Sequence, residues 1–310
     1  MNNKNNSCGK HVMALTLSLL GAWTSAEATE NGVPTTTFGV YDFGAGMAPP
    51  PTENGTLSLR TGFYSSRIVK DNQGNHSDND VDLDLLSIAA SYIRMTEHTL
   101  FGANYGFGIV LPFFKIDAEL KVQTPAGPMK LEADPFRMAD AFFIPVILQW
   151  NVSPNFFVNS YFGVTAPTGD YDKKRLASPG TNHWVYSPGL SATYITDSGF
   201  EVSSNFQVDF SSRNQATDYK NGVEYRHEFA VGQHMGPWTV GLGGFYYRQI
   251  SDDNAPNLTS GNRAAVSALG PAVAFFKPGL PPVSAHIYKE FDARNRSEGY
   301  TFAVRVSQSF

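Results

Sequence analysis

From Thr56 to the last residue, apolar and polar positions alternate with a period of two, the spacing of a strand whose faces meet different environments. Phe200, Val202, Phe206, Val208 and Phe210 alternate with Glu201, Ser203, Asn205, Gln207 and Asp209. Tyr300, Phe302, Val304, Val306 and Phe310 alternate in the same way with Thr301, Ala303, Arg305, Ser307 and Ser309. Val223, Tyr225, Phe229 and Val231 oppose Glu224, Arg226 and Glu228, while Trp238, Val240, Leu242 and Tyr246 oppose Thr239, Gly241, Gly243 and Gln249. In a soluble sandwich the apolar face would be the inside. Here the other face carries charges of both signs, which suggests that it too is enclosed.

Applied along the chain, the alternation predicts twelve strands, over residues 56–69, 81–95, 100–118, 138–151, 155–168, 184–196, 199–212, 221–234, 238–250, 263–276, 283–293 and 299–310. Most exceed the roughly 5 or 6 residues common in soluble sheets and suffice for a tilted strand to cross a bilayer, which takes about 9–11. Short links at 96–99, 153–155, 197–199, 236–237 and 277–282 alternate with long polar ones at 70–80, 119–137, 169–183, 213–220 and 251–262, and a modest one at 294–298. Short periplasmic turns alternating with longer external loops are the pattern of an outer-membrane barrel. The expected fold is therefore all-β: a twelve-stranded antiparallel transmembrane β-barrel over 55–310, with both chain ends on the periplasmic side. Phe310, a terminal aromatic on an alternating strand, is the expected signal to the outer-membrane barrel assembly machinery.

Two segments precede the barrel. Lys4 and Lys10 lead into an apolar run from Val12 to Trp23, followed by Ala26-Glu27-Ala28. This reads as a signal peptide over 1–28, cut after Ala28 or alternatively after Ala26, since the run falls well short of the roughly 20 residues of a membrane-spanning helix. The destination is the outer membrane of a Gram-negative-type bacterium. Residues 29–54 break the strand pattern with Gly39, Gly44, Gly46 and the run Pro49-Pro50-Pro51, and a proline triplet favours an extended conformation. Phe38, Val40, Tyr41, Phe43 and Met47 make the segment too apolar for water. It is expected to fold into or across the periplasmic mouth of the lumen, with Phe38, Tyr41, Phe43, Pro49, Pro50 and Pro51 as plug residues. The alternative is a mobile periplasmic tail.

Composition narrows the function. The only cysteine, Cys8, lies before the apolar run, so the mature chain has no disulfide framework, thiolate metal site or cysteine nucleophile. Losing Lys4, Lys10 and Glu27 takes the formal charge from −5 to −6, which excludes a basic nucleic-acid surface. The 28 glycines and 14 tyrosines suit a barrel with an apolar outside, a polar inside and aromatic girdles. The acidic run Asp78, Asp80, Asp82 and Asp84 reads as a solvated loop entering the second strand rather than a calcium site. No metal or cofactor is expected.

Twelve strands lie between the about 8 that leave a filled interior and the 16–18 that leave an open water channel. Strand parity sends Arg60, Tyr64, Asn104, Asn159, Tyr161, Glu201, Asn205, Gln207, Asp209, Glu224, Arg226, Glu228, Tyr247, His286, Tyr288, Glu290 and Arg305 inward. Of these, Arg60, Tyr161, Asp209, Glu224, Arg226, Glu228, Tyr247, His286, Tyr288, Glu290 and Arg305 are the candidates for a solute path. Two readings stand side by side: an ion network that satisfies buried charge, or a constriction that orients a solute while aromatic rings stack on it. A barrel enzyme would need a nucleophile, a base and an orienting partner together. Among the histidines, His76 and His183 fall in loops, His98 in a turn and His227 on the lipid face, leaving His234 and His286 inward. No Gly-x-Ser-x-Gly motif accompanies them, and no catalytic residues are assigned.

Gly44-Ala45-Gly46-Met47-Ala48-Pro49-Pro50-Pro51, Ala166-Pro167-Thr168-Gly169-Asp170-Tyr171-Asp172, Asn182-His183-Trp184, Thr217-Asp218-Tyr219, Trp238 to Tyr247, and Lys289-Glu290-Phe291 with Arg294-Asn295-Arg296 form an ordered set. Together they resemble the outer-membrane transporter family named for the meta-pathway of phenol degradation. The resemblance implies passive uptake of small hydrophobic or aromatic compounds through a narrow lumen. Its implied partners are outer-membrane lipids and the solute itself. A lipase- or deacylase-like barrel and a structural or adhesive barrel are the alternatives from other classes.

Overall fold

The computed structural model describes residues 28–32, 35–77, 80–124, 127–133, 136–175, 177–256, 258 and 262–310. The signal peptide reading, apart from Ala28, lies outside the described residues.

Fourteen strands form among the described residues: β1 (Thr56–Lys70), β2 (Asp80–Leu100), β3 (Ala103–Thr124), β4 (Gly127–Ala133), β5 (Phe136–Met138), β6 (Ala141–Ser153), β7 (Phe156–Ala166), β8 (Val185–Ile195), β9 (Phe200–Ser211), β10 (Glu224–Met235), β11 (Trp238–Gln249), β12 (Ala265–Phe275), β13 (Val283–Arg294) and β14 (Arg296–Ser309). β4 and β5 are short additions that pair with β3; the other twelve make the wall, each antiparallel to its neighbours. β14 returns to β1 in a register running from Thr56↔Ser309 to Lys70↔Arg296, which closes the barrel. Closure is what lipid demands, because an open edge in hydrocarbon would leave a row of main-chain N–H and C=O groups unsatisfied.

Three connections differ from the sequence reading. The polar link expected over 119–137 is largely strand: β3 continues to Thr124 and β4 turns back along it. Alternation through Glu119-Leu120-Lys121-Val122 carries the pattern on, and the strand that Gly127 and Pro128 open returns along it. The turn expected at 96–99 moves to Phe101-Gly102, both with positive φ, after a bulge between Met95 and Thr99 that conceals the continuing strand. Asn295 alone, at φ 50°, separates β13 from β14 where a five-residue link was expected, so Arg296 belongs to the wall.

The burial pattern is inverted relative to a soluble protein. Along β9, Glu201, Ser203, Asn205, Gln207 and Asp209 are buried, whereas Phe200, Val202, Phe206 and Phe210 are exposed. Glu201 is 2% exposed and Phe206 40%. His227 lies on the outer face with its ring stacked on Phe206 at 4.4 Å. An exposed apolar belt around a buried polar interior is stable only with hydrocarbon outside.

That arrangement makes the outer face intolerant of charge. Leu242→Arg, outward near the middle of β11, is expected to cost about 2–4 kcal/mol in denaturant unfolding from phospholipid vesicles. No loss of stability would show that this face does not meet lipid.

Candidate functional site

The lumen is occupied by the chain's own amino-terminal segment. Its path begins at the rim bearing the long loops, where Ala28 N–H donates to Asn295 O at 2.9 Å, Thr29 N–H to Asp253 at 2.7 Å and Glu30 N–H to Asn221 at 3.1 Å. Thr35 bonds Glu224 through its hydroxyl, and Thr36 donates to Asp209 at 3.0 Å. At mid-barrel the N–H groups of Gly39, Val40 and Tyr41 all donate to the Glu228 carboxylate, at 3.0, 2.9 and 2.7 Å. Beyond them Gly44 N–H reaches Glu201, Gly46 N–H reaches Thr193 and Ala48 N–H reaches Gln149. Asn54 N–H finally meets Phe310 O at the short-link rim. The segment therefore runs the length of the lumen instead of resting at one mouth. β1 and Phe310 start and end at the short-link rim as expected, but Ala28 emerges at the opposite one.

Glycine permits two of these approaches. A Cβ on Gly46 would fall 2.4 Å from the Thr193 nitrogen, and Gly39 has φ +64° with the His286 ring close against it. The segment's aromatic side chains fill space that small wall residues leave. Phe38 packs 4.8 Å from both Phe245 and Tyr247, Tyr41 stacks on Tyr161 at 5.8 Å, and Phe43 lies against Gly232. Ala264, Val266, Ala268 and Ala272 complete an apolar strip beside Phe245, Tyr247 and Tyr288. Pro50 and Pro51 are exposed, outside this packing.

All eleven wall residues proposed from parity face the lumen, and the structure joins most of them. Arg226 sits 3.8 Å from both Asp209 and Glu228 while donating to Thr37 O at 2.6 Å. Glu224 accepts from Tyr247 at 2.9 Å, and Tyr161 donates to Gln207 at 2.7 Å. Glu290 pairs with Arg296 at 3.3 Å and accepts from Tyr64 at 2.9 Å. Arg60 donates to the carbonyls of Phe38 and Gly39, and Arg305 to that of Val40. His286 and Tyr288 bond Asp42 at 3.1 and 2.7 Å, their rings stacked at 4.0 Å. The ion network and the segment's anchorage are thus one structure. Sequence reading missed Asp42, Arg296, Thr193, Gln149 and the alanine strip. The last had a visible signal, since Ala264, Val266 and Ala268 recur with period two.

His286 stands near Ser284 on the same face of β13, with Asp42 behind it. Ser284 Oγ and His286 Nε2 are both without a hydrogen-bond partner, so they do not bond each other. His234 is engaged by Glu201 at 2.7 Å.

The long-loop rim grips the start of the segment. Asp253 accepts from Thr29 N–H, Tyr219 Oη, Gly222 N–H and Asn262 Nδ2. Burial, followed by the adjacent Asp253 carboxylate, pushes the Tyr219 phenol up, so it stays a donor. Asn214 donates to Glu30 at 2.8 Å and accepts from Asn182 at 2.7 Å, while Tyr171 donates to Glu30 at 3.4 Å. Burial holds His183 below its ordinary value. It lines a cavity of about 20 Å³ with Glu30, Tyr171, Ser178, Thr181 and Asn221. Several motifs behind the family resemblance therefore meet at the first residues of the threaded segment.

Residues 66–306 match the model of the family described as "Putative MetA-pathway of phenol degradation". Among solved structures, an outer membrane channel from Pseudomonas putida F1 is 14% identical with a TM-score of 0.72, covering 85% of this chain and 97% of that one. The β domain of the Bordetella autotransporter BrkA is 12% identical (TM-score 0.48; 83% and 100% covered), and the CymD monoaromatic hydrocarbon channel 11% (0.41; 84% and 91%). No curated protein matches the chain by sequence.

Glu228 is the central hold. Glu228→Ala leaves Arg226 and three main-chain donors short of a partner, a loss on the order of 3–5 kcal/mol. A nitroxide on Val40→Cys is expected to become mobile in that background and to remain immobilised in the parent. Indistinguishable spectra would show that Glu228 does not secure the segment.

Proposed function

Because the chain belongs to the MetA-pathway phenol-degradation family, we propose that it is an outer-membrane channel for passive uptake of small hydrophobic or aromatic compounds, gated by its amino-terminal segment. The observation that carries this reading is the occupied lumen. A closed barrel needs no interior strap for its own hydrogen bonds, yet this one surrounds a strap held by wall side chains. Moving the strap leaves every wall strand paired and opens a lumen bordered on one side by Phe245, Tyr247, Tyr288 and the β12 alanines. Such a strip suits an aromatic ring, while the carboxylates and guanidiniums opposite remain hydrated in an open pore.

The fold likeness to a solved outer membrane channel supports the placement in that membrane, and the Lys4, Lys10 and Ala26-Glu27-Ala28 pattern supports export by a signal peptide. Phe310 is the residue offered to the assembly machinery. The strap residues in this reading are Phe38, Tyr41 and Phe43, with Pro49, Pro50 and Pro51 stiffening its exit toward the periplasm.

In planar bilayers the full chain is expected to conduct in brief, small events, and the chain lacking residues 29–52 to conduct continuously and several-fold more. Liposomes carrying the shortened barrel should admit toluene-sized solutes faster than the parent. Equal conductance of the two proteins refutes the gate, and absence of solute entry through either refutes the channel.

A further inference from the structure

Between Thr35 and Thr52 the threaded segment carries one charged side chain, Asp42, which lies between Tyr41 and Phe43 in the sequence. Its carboxylate is buried and accepts from Tyr288 Oη and His286 Nδ1. The wall near it carries Arg60 and Arg305, with the Glu228 carboxylate also within electrostatic reach of Asp42, Arg60 and Tyr288. Arg60 and Arg305 stand directly opposite each other across the seam of β1 and β14. Like charges at opposed positions repel. Arg226 and Arg296 each pair with a carboxylate, but among the described residues Arg60 and Arg305 form no ion pair. Their bonds go to the carbonyls of Phe38, Gly39 and Val40.

Two more polar groups at the same place lack partners. His286 Nε2 and Ser284 Oγ are buried and unbonded, with His286 3% and Ser284 8% exposed. Ser284 is the register partner of Arg305, and both lie with Arg60, His286, Val40 and Asp42 around one tight crevice that has no room for a water while Asp42 is in place. A carboxylate offers two oxygens with about four acceptor sites and binds guanidinium in a two-point fork. The wall therefore presents more donors than Asp42 alone uses. Next to them, Tyr288 continues into the apolar strip of Phe245 and Tyr247, which already receives Phe38 and Phe43.

We propose that Arg60, Arg305, Ser284, His286 and Tyr288 form a binding site for the carboxylate of a small aromatic acid, and that Asp42 occupies it as a tethered competitor. This rests on the reading of the lumen as a solute path. Tyr41-Asp42-Phe43 presents the same chemistry as the solute, a carboxylate flanked by rings, so an aromatic acid that takes the site displaces the segment carrying Asp42. A neutral aromatic lacks the group that competes.

The test is calorimetric titration of the full-chain barrel in detergent micelles with benzoate, benzyl alcohol and acetate, binding being read without any need for permeation. Benzoate is expected to bind more tightly than either of the others. Asp42→Asn, a change on the segment that leaves the wall intact, should tighten benzoate by about tenfold, the scale of one charge-assisted hydrogen bond. Arg305→Gln, and separately Arg60→Gln, should lower the benzoate-to-benzyl alcohol affinity ratio by a similar factor. Benzoate affinity unchanged or weakened in Asp42→Asn overturns the competitor, equal binding of benzoate and benzyl alcohol overturns the anion site, and equal binding of benzoate and acetate overturns its aromatic half. Benzoate bound as expected but not transported, even by the barrel lacking 29–52, upholds the site and refutes the path instead.

Discussion

The main-chain groups of residues 35–48 have no strand beside them, and the organisation of the lumen follows from how they are satisfied. A buried peptide N–H or C=O without a partner costs about as much as a lost hydrogen bond. Here the partners are side chains of the wall. Glu228 takes the N–H groups of Gly39, Val40 and Tyr41, while Arg226, Arg60 and Arg305 serve the carbonyls of Thr37 to Val40. Charged residues are needed because they reach several main-chain groups at once. Their own charges are balanced within the same network, Arg226 lying between Asp209 and Glu228. An ion network in this barrel is thus the means by which an irregular segment crosses its interior.

Room for that segment comes from what the wall omits. Twelve strands enclose a lumen between one that side chains fill and an open water channel, so the free space depends on the size of the inward residues. Glycine at 232 and 243 and alanine at 268 and 272 leave a groove on one side, into which Phe38, Phe43 and Tyr288 project. The opposite side keeps long polar residues. This division gives the segment an apolar and a polar edge, and it gives the same two edges to any solute that replaces it.

Much of the wall was legible in the sequence because a period of two is forced wherever one face meets lipid and the other does not. Parity then placed Glu224, Arg226, Glu228 and Glu290 inward without reference to any contact. Boundaries failed where local conformation hid the period: the bulge at Met95, the single left-handed residue Asn295, and the hairpin at Gly127. The lumen was less legible than the wall. Phe38, Tyr41 and Phe43 were marked by being too apolar for water, but the depth and direction of threading depend on bonds between residues up to 265 positions apart. No local pattern encodes such a pairing. Asp42 carried a signal that local reading undervalued, as a lone charge in an otherwise apolar run.

The way the segment is held also determines what its release requires. Wall strands are paired main chain to main chain, and among the described residues 35–48 no such bond ties the segment to them. Withdrawal of residues 35–48 therefore breaks bonds to wall side chains, with Ala28 N–H to Asn295 O the main-chain bond to the wall at the long-loop rim, and the carboxylates and guanidiniums left behind regain water as the lumen fills. Rehydration offsets much of what is lost, since a polar group transferred from a protein partner to water keeps most of its hydrogen bonding. The aromatic contacts of Phe38 and Phe43 have no such substitute in water, so their burial is the principal force that keeps the lumen closed. A solute able to replace those contacts with its own ring lowers the cost of opening in proportion to the apolar surface it buries. In the proposed channel, selectivity for aromatic solutes follows from the same packing that seals the barrel.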